Sequence, residues 1–135
     1  MPLLFRKGIF FLLFSGIVSH TVAQHYNFVN FGKTEGLTQT YIYTVVQDER
    51  GYLWVGTGDG LSRYNGFAFD NYTTSDSLAD NFITCSFNEG ANLWFGHMDG
   101  RLTCFNGKRF YPFNPLQPEQ SPITQFGKSP DGQLW

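Results

Sequence analysis

The sequence predicts an all-β fold made of short antiparallel strands, and its composition gives the first indication. Fifteen Phe, seven Tyr and three Trp accompany fifteen Gly in a chain of 135 residues, which is typical of short strands joined by tight turns. No long window keeps an apolar helical period, which argues against a mainly helical protein. Charged residues make up only 15% and aromatic residues 19% of the chain, which excludes a disordered polypeptide.

An internal repeat gives the stronger indication of the fold. The repeat is marked by two sets of residues that recur every 40 or 41 positions: Ile42, Ile83 and Ile123, and Trp54, Trp94 and Trp135. A period of about 40 residues with one Trp in each copy predicts β-propeller blades of four antiparallel strands. The two Trp side chains of the complete copies are expected to fill the wedge between neighbouring blades.

The first complete copy divides into four strands at its turn residues. The predicted strands are a (Ile42–Gln47), b (Leu53–Thr57), c (61–64) and d (67–72). Asp59-Gly60 and Asn65-Gly66 separate the last three, because these dipeptides accept the positive φ angles of tight hairpins. The second copy has Asp99-Gly100 and Asn106-Gly107 at the equivalent positions.

The repeat also assigns the rest of the chain to blades. We predict an orphan outer strand within residues 24–36, a first blade over 37–77, a second over 78–117 and the start of a third over 118–135. The alternative for the orphan strand is a frayed extension. About two and a half blades leave apolar interblade faces uncovered, so we expect the N-terminal part of a longer protein. A truncated gene product is the alternative.

The first 23 residues are predicted to be a cleaved signal peptide rather than part of the fold. Arg6 and Lys7 precede an apolar run over residues 9–18, and Thr21-Val22-Ala23 supplies the small side chains of a cleavage site. The alternative is an uncleaved membrane anchor. Export is therefore expected. Loss of the two basic residues takes the net charge from −2 to −4, and without a basic stripe no nucleic-acid partner is expected.

No pattern of catalytic or metal-binding residues emerges from the sequence, and no cofactor is expected. Cys85 and Cys104 fall on strands a and c of one blade, about 9 to 10 Å apart across strand b, so we predict free thiols. The glycines of residues 56–60 precede a strand instead of a helix, which favours a hairpin over a phosphate loop. His97 stands alone, so it is expected to be structural or solvated.

Residues 48–57, followed by Gly60-Leu61-Ser62-Arg63-Tyr64, resemble the two-component regulator propeller repeat. The second copy departs from this pattern at Ala91, His97 and Cys104, and its a–b turn is one residue shorter. The resemblance implies an incomplete, seven-bladed propeller that serves as the periplasmic or cell-surface sensor of a histidine kinase. It also implies further blades, a membrane helix and a kinase downstream, a small-molecule or oligosaccharide ligand, and a homodimer. The chain itself is not expected to be an enzyme.

Two other functions remain open from the sequence. One is an exported propeller with a protein-interaction or scaffold role and no kinase. The other is a propeller enzyme of the lyase or sialidase kind. Residues 129–135 resemble the Asp-box of sialidase propellers, but that box is a turn device and therefore argues for the fold alone.

The candidate ligand site is placed by the loops that precede strand a. In a propeller the d–a and b–c loops gather at one end of the ring, where loops from every blade meet. Gln39 and Thr40 align with Asp80 and Asn81 at the end of the two d–a loops. We predict that these four side chains hydrogen-bond a polar ligand; the alternative is that they cap strand a or hold the loops.

Overall fold

The computed structural model describes residues 26–114 and 121–134, which contain two four-stranded antiparallel sheets. The predicted signal peptide lies outside the described residues. The first sheet consists of β1 (Ile42–Gln47), β2 (Leu53–Thr57), β3 (Gly60–Tyr64) and β4 (Phe69–Tyr72), and the second of β5 (Ile83–Glu89), β6 (Asn92–His97), β7 (Leu102–Phe105) and β8 (Phe110–Phe113). Each sheet is a meander in sequence order. The predicted all-β architecture of propeller blades is confirmed.

The last strand of the first blade begins two residues later than predicted. Asn65 does not open a two-residue turn with Gly66; its Oδ1 accepts the N–H groups of Phe67 and Ala68, each at 2.9 Å. The connection therefore has four residues, and Tyr64 pairs with Phe69. Phe67, predicted to lie on the strand, is instead 94% exposed in the loop. The N–H of Asn65 also donates to the carbonyl of Ala68 at 3.2 Å, so the turn closes around Gly66 and Phe67 and leaves Phe67 outside the strand.

Residues 26–32 form no strand, although an outer strand was predicted within this segment. A strand requires a hydrogen-bonded neighbouring strand, and none of the described strands pairs with residues 26–32. Phe31 packs against the rings of Tyr64 and Phe69, with centroid distances of 5.0 and 5.7 Å. That the segment completes a final blade stays a prediction.

The hydrophobic core lies between the two sheets and is centred on Trp54. This side chain is fully buried. Its ring lies 4.7 Å from Phe105, 6.1 Å from Phe95 and 6.0 Å from Phe110, all on the second sheet. The sequence placed Trp54 in the wedge between blades, and this is confirmed.

A glycine on strand b lets each blade approach the next. An added Cβ at Gly56 would lie 2.7 Å from Cγ2 of Ile83, and one at Gly96 would lie 2.8 Å from Cβ of Ile123. The repeated Ile therefore fits against the repeated Gly of the preceding copy. The spacing that identified the repeat is thus a packing requirement between neighbouring copies.

An acidic side chain in each a–b turn binds the indole N–H of the Trp on strand b. Asp48 Oδ2 accepts from Trp54 Nε1 at 2.9 Å, while its Oδ1 accepts the N–H groups of Arg50 and Tyr52. In the second blade Glu89 Oε2 accepts from Trp94 Nε1 at 3.1 Å. The second copy has a shorter turn and a longer acidic side chain, Glu instead of Asp. Together these two differences preserve the hydrogen bond between the carboxylate and the indole N–H.

The shorter second turn needs no glycine at Ala91. Gly90 adopts the left-handed conformation there, with φ of +67°. The turn thus keeps a glycine with positive φ, one position before Ala91.

Residues 121–134 continue the pattern of the first two copies. The N–H of Ile123 donates to the carbonyl of His97 at 3.1 Å, and Lys128 pairs with Leu134 in an antiparallel bridge. In the turn between them, Ser129 N–H donates to Gln133 O and Gly132 N–H to Ser129 O. Asp48 N–H and Gly51 N–H make the same two bonds in the first copy.

Candidate functional site

The d–a and b–c loops meet at one end of the two sheets, as the propeller arrangement requires. Gln39, at the end of the first d–a loop, accepts a hydrogen bond through Oε1 from the N–H of Gly58 in the b–c turn, at 3.1 Å. Phe82, at the end of the second d–a loop, accepts through its carbonyl from the N–H of Met98 at 3.1 Å. Backbone hydrogen bonds therefore hold these loops in place.

Three of the four predicted ligand-binding side chains bind the protein's own backbone. Besides Gln39, Asn81 Oδ1 accepts the N–H of Thr74 at 2.8 Å, and Asp80 Oδ2 accepts the N–H of Phe82 at 3.3 Å. These contacts correspond to the alternative in which the residues hold the loops. Thr40 is exposed. Each of the three acceptors keeps lone pairs for a further donor, so the contacts leave a ligand role untested.

Aromatic side chains beside these loops were missed in the sequence. Tyr41, directly before β1, is 75% exposed, and Tyr43, on β1, is 50% exposed. The ring of Tyr43 lies 4.8 Å from the ring of Phe82, which belongs to the second blade. Flat exposed rings beside polar loops can stack against the apolar face of a ligand. The sequence pattern that could have identified them is the pair Tyr41 and Tyr43, two residues apart and directly after Gln39-Thr40.

His97 is buried at the base of the second b–c turn. It is 0% exposed, and its Nε2 lies 2.7 Å from Thr103 Oγ1. Its Nδ1 has no hydrogen-bond partner among the described residues. In the first blade the equivalent position is Thr57, whose hydroxyl lies 2.8 Å from that of Thr38. His97 is therefore structural, one of the two roles expected from the sequence.

Burial lowers the pKa of His97, and Asp80 and Asp99 oppose this shift only in part. The folded protein therefore keeps the ring neutral below about pH 6.5, where an unfolded His takes up a proton. Because the unfolded state then binds more protons, stability falls as the pH drops from 6.5 towards the folded pKa. We expect His97→Gln to flatten the decrease in melting temperature between pH 7.5 and pH 5. Equal slopes for both proteins would contradict this.

The two cysteines are free and buried, as predicted. Cys85 lies on β5 and Cys104 on β7, with β6 between them. Burial raises the pKa of both thiols, which keeps them protonated and chemically unreactive.

Within the described ranges, no three His, Cys, Asp or Glu side chains come together in a way that could hold a metal ion. In the same residues, no helix is both long and apolar enough to cross a bilayer.

Comparison with known proteins connects the repeat with a family. Residues 36–59 match the family model described as two component regulator propeller. This segment contains β1, β2 and the b–c turn of the first blade. A stretch of 63 residues is 41% identical to Histidine kinase P4 of Formosa agariphila and covers 45% of this chain and 5% of that relative. The chain thus corresponds to a small part of that protein's length. Both findings confirm the resemblance seen in the sequence.

Proposed function

Because this chain carries a two component regulator propeller repeat, we propose that it is the N-terminal part of an exported, ligand-sensing propeller of a sensor histidine kinase. The 41% identity to a histidine kinase over 63 residues carries the proposal. Two neighbouring blades with a shared core agree with it, because a sensor of this kind needs a rigid platform for its loops.

The proposed location is the periplasm or cell surface, with a downstream membrane helix as tether. The basic residues and apolar run before Ala23 support export. A ligand outside the membrane can act on a kinase inside only by changing the relative stability of two states of the protein. We propose that the two states are arrangements of a propeller homodimer.

The proposed ligand is a small polar molecule such as an oligosaccharide, held at the loop end of the blades. The exposed Tyr41 and Tyr43 rings offer stacking surfaces, and Thr40 is an exposed hydroxyl beside them. Gln39, Asp80 and Asn81 bind backbone N–H groups. Their part in ligand binding would be through the carboxylate or amide atoms that these bonds do not use.

The kinase assignment can be tested with the full-length protein. We expect it to label itself with phosphate from ATP, in an acid-labile form typical of phosphohistidine. Absence of the phosphate label, together with a coding sequence that lacks a kinase domain, would favour the scaffold function.

The ligand end can be tested by pairing two kinds of substitution. We expect Tyr41→Ala to weaken binding of an oligosaccharide by about fivefold, since stacking of one ring contributes on the order of 1 kcal/mol, with little change in melting temperature. Gln39→Ala should lower the melting temperature, because Gly58 N–H loses its acceptor. The measurement is a calorimetric titration with an oligosaccharide chosen from a thermal-shift screen. Unchanged oligosaccharide affinity in Tyr41→Ala would show that the binding site does not lie at the loop end of these blades.

A further inference from the structure

A groove between the outer strands of the two blades extends from the d–a loop that joins the blades to the c–d loop of the second blade. It encloses about 370 Å³, which is within the size range of small-molecule sites. We call it the rim groove. Its walls include Arg63 and Tyr72 of the first blade, Ser77 of the connecting loop, and Lys108, Arg109 and Phe110 of the second blade.

The rim groove carries an excess of positive charge. Arg63 is paired with Asp70 at 2.7 Å, but no ion pair among the described residues involves Lys108 or Arg109. One carboxylate, that of Asp76, also lines the groove. It accepts the N–H of Thr73 at 2.9 Å and so closes the 3₁₀ turn Thr74–Asp76. Lys108 and Arg109 are thus in no ion pair, and against the one charge of Asp76 they leave the groove with a net positive charge of one.

Aromatic rings form the apolar part of the same groove. Tyr72 and Phe110 are half-buried, and their rings meet edge to face at 5.1 Å. The guanidinium of Arg63 lies 5.7 Å from the Tyr72 ring centroid. The groove thus joins an aromatic wall to cationic groups, a combination that recognises both parts of an amphipathic anion.

Ser77 adds a hydroxyl in an unusual backbone conformation. It is the one non-glycine residue with positive φ in the described part of the chain, at +77°. The equivalent residue of the first blade is Gly36, with φ of +106°. A serine in this conformation is less favourable than glycine. Its side chain is the feature that distinguishes this loop, and it lines the groove.

We propose that the rim groove binds a small carboxylate that has a flat apolar face. The carboxylate would pair with Lys108 and Arg109, and the apolar face would lie against Tyr72 and Phe110. Such a ligand would bridge both blades, because its partners come from each. The inference does not depend on the sensor function or on the loop-end site.

The c–d loop allows a clean test because its side chains can be changed without disturbing its backbone. Asn106 Oδ1 accepts the N–H groups of Lys108 and Arg109, and Asn106 N–H donates to the carbonyl of Arg109. These bonds do not involve the two cationic side chains. Both residues are exposed, so the double variant Lys108→Gln/Arg109→Gln should keep the wild-type melting temperature.

Benzoate is the probe, titrated into the full-length protein and followed by calorimetry at constant ionic strength. We expect the double variant to bind benzoate at least about tenfold more weakly than wild type, since two charge-assisted contacts are lost. Lys33→Gln is the matched control: Lys33 is an exposed lysine on the connecting loop before the first blade, and its loss should leave affinity unchanged.

Two results would overturn the proposal. One is equal benzoate affinity in wild type and the double variant, or an equal loss in Lys33→Gln, which would indicate diffuse charge attraction. The other is that acetate or sulfate binds as tightly as benzoate, which would mean that the aromatic wall contributes nothing.

Discussion

Trp54→Ala is expected to lower the free energy of unfolding by about 3–5 kcal/mol, the range for removal of a large aromatic side chain from a core. The side chain is fully buried and contacts rings from β6, β7 and β8, so its loss opens a cavity between the blades. The substitution also leaves the Asp48 carboxylate without the indole N–H. Urea denaturation of the full-length protein would measure the change.

Two further variants separate the causes of this loss. Phe67→Ala is the matched control, because it removes an aromatic ring that is almost fully exposed and should change stability by less than about 0.5 kcal/mol. Trp54→Phe keeps an apolar ring but removes the N–H, so its cost should lie between the two. A Trp54→Ala protein as stable as Phe67→Ala would contradict the interblade core.

Gly56→Ala is expected to destabilise the protein by about 1–3 kcal/mol, the usual cost of an overpacked core. The added Cβ would lie 2.7 Å from Cγ2 atoms of both Ile83 and Thr44. Ile83 belongs to the next blade, so the clash pushes the two blades apart. The melting temperature and the urea midpoint of the full-length protein would measure the effect.

Two controls accompany Gly56→Ala: the same substitution at Gly127, and a double-mutant cycle with Ile83. Gly127→Ala should be nearly neutral, because nothing lies within 4 Å of its added Cβ. In the background of Ile83→Ala, the Gly56→Ala substitution should cost less, and the double-mutant cycle should give a coupling of about 0.5–3 kcal/mol. Additive effects would show that Cγ2 of Ile83 is not what the new methyl group meets.

The absence of further blades should also lower the stability of the fold. Val45 and Leu53 of the first sheet are exposed large apolar residues, as expected of a face that another blade covers. We therefore expect residues 24–135, produced alone, to aggregate or to lack a cooperative thermal transition. A sharp melt of a soluble monomer would show that these blades fold without further ones.

The sequence by itself determined the strands, because turn chemistry and periodicity are properties of neighbouring residues. β1 and β2 have the predicted bounds, and the 40-residue spacing identified Trp54 as the interblade side chain. The separation of Cys85 and Cys104 by one strand also followed from the repeat. Where the prediction was wrong, at Phe67, a local side chain competed for the backbone: Asn65 bound two N–H groups that a two-residue hairpin would have placed differently.

Only the tertiary structure showed which backbone groups the polar side chains bind. The sequence predicted that Gln39 binds a ligand. Folding brings the N–H of Gly58, 19 residues away in the chain, within hydrogen-bonding distance of the Gln39 side chain. The rim groove likewise joins residues of two blades. A buried or crowded backbone N–H must find an acceptor, and which side chain supplies it depends on the distance between loops that are far apart in sequence. The distance between two such loops cannot be derived from composition or spacing. It is fixed only in the folded protein, where Trp54 and the Gly56–Ile83 contact determine how one blade packs on the next.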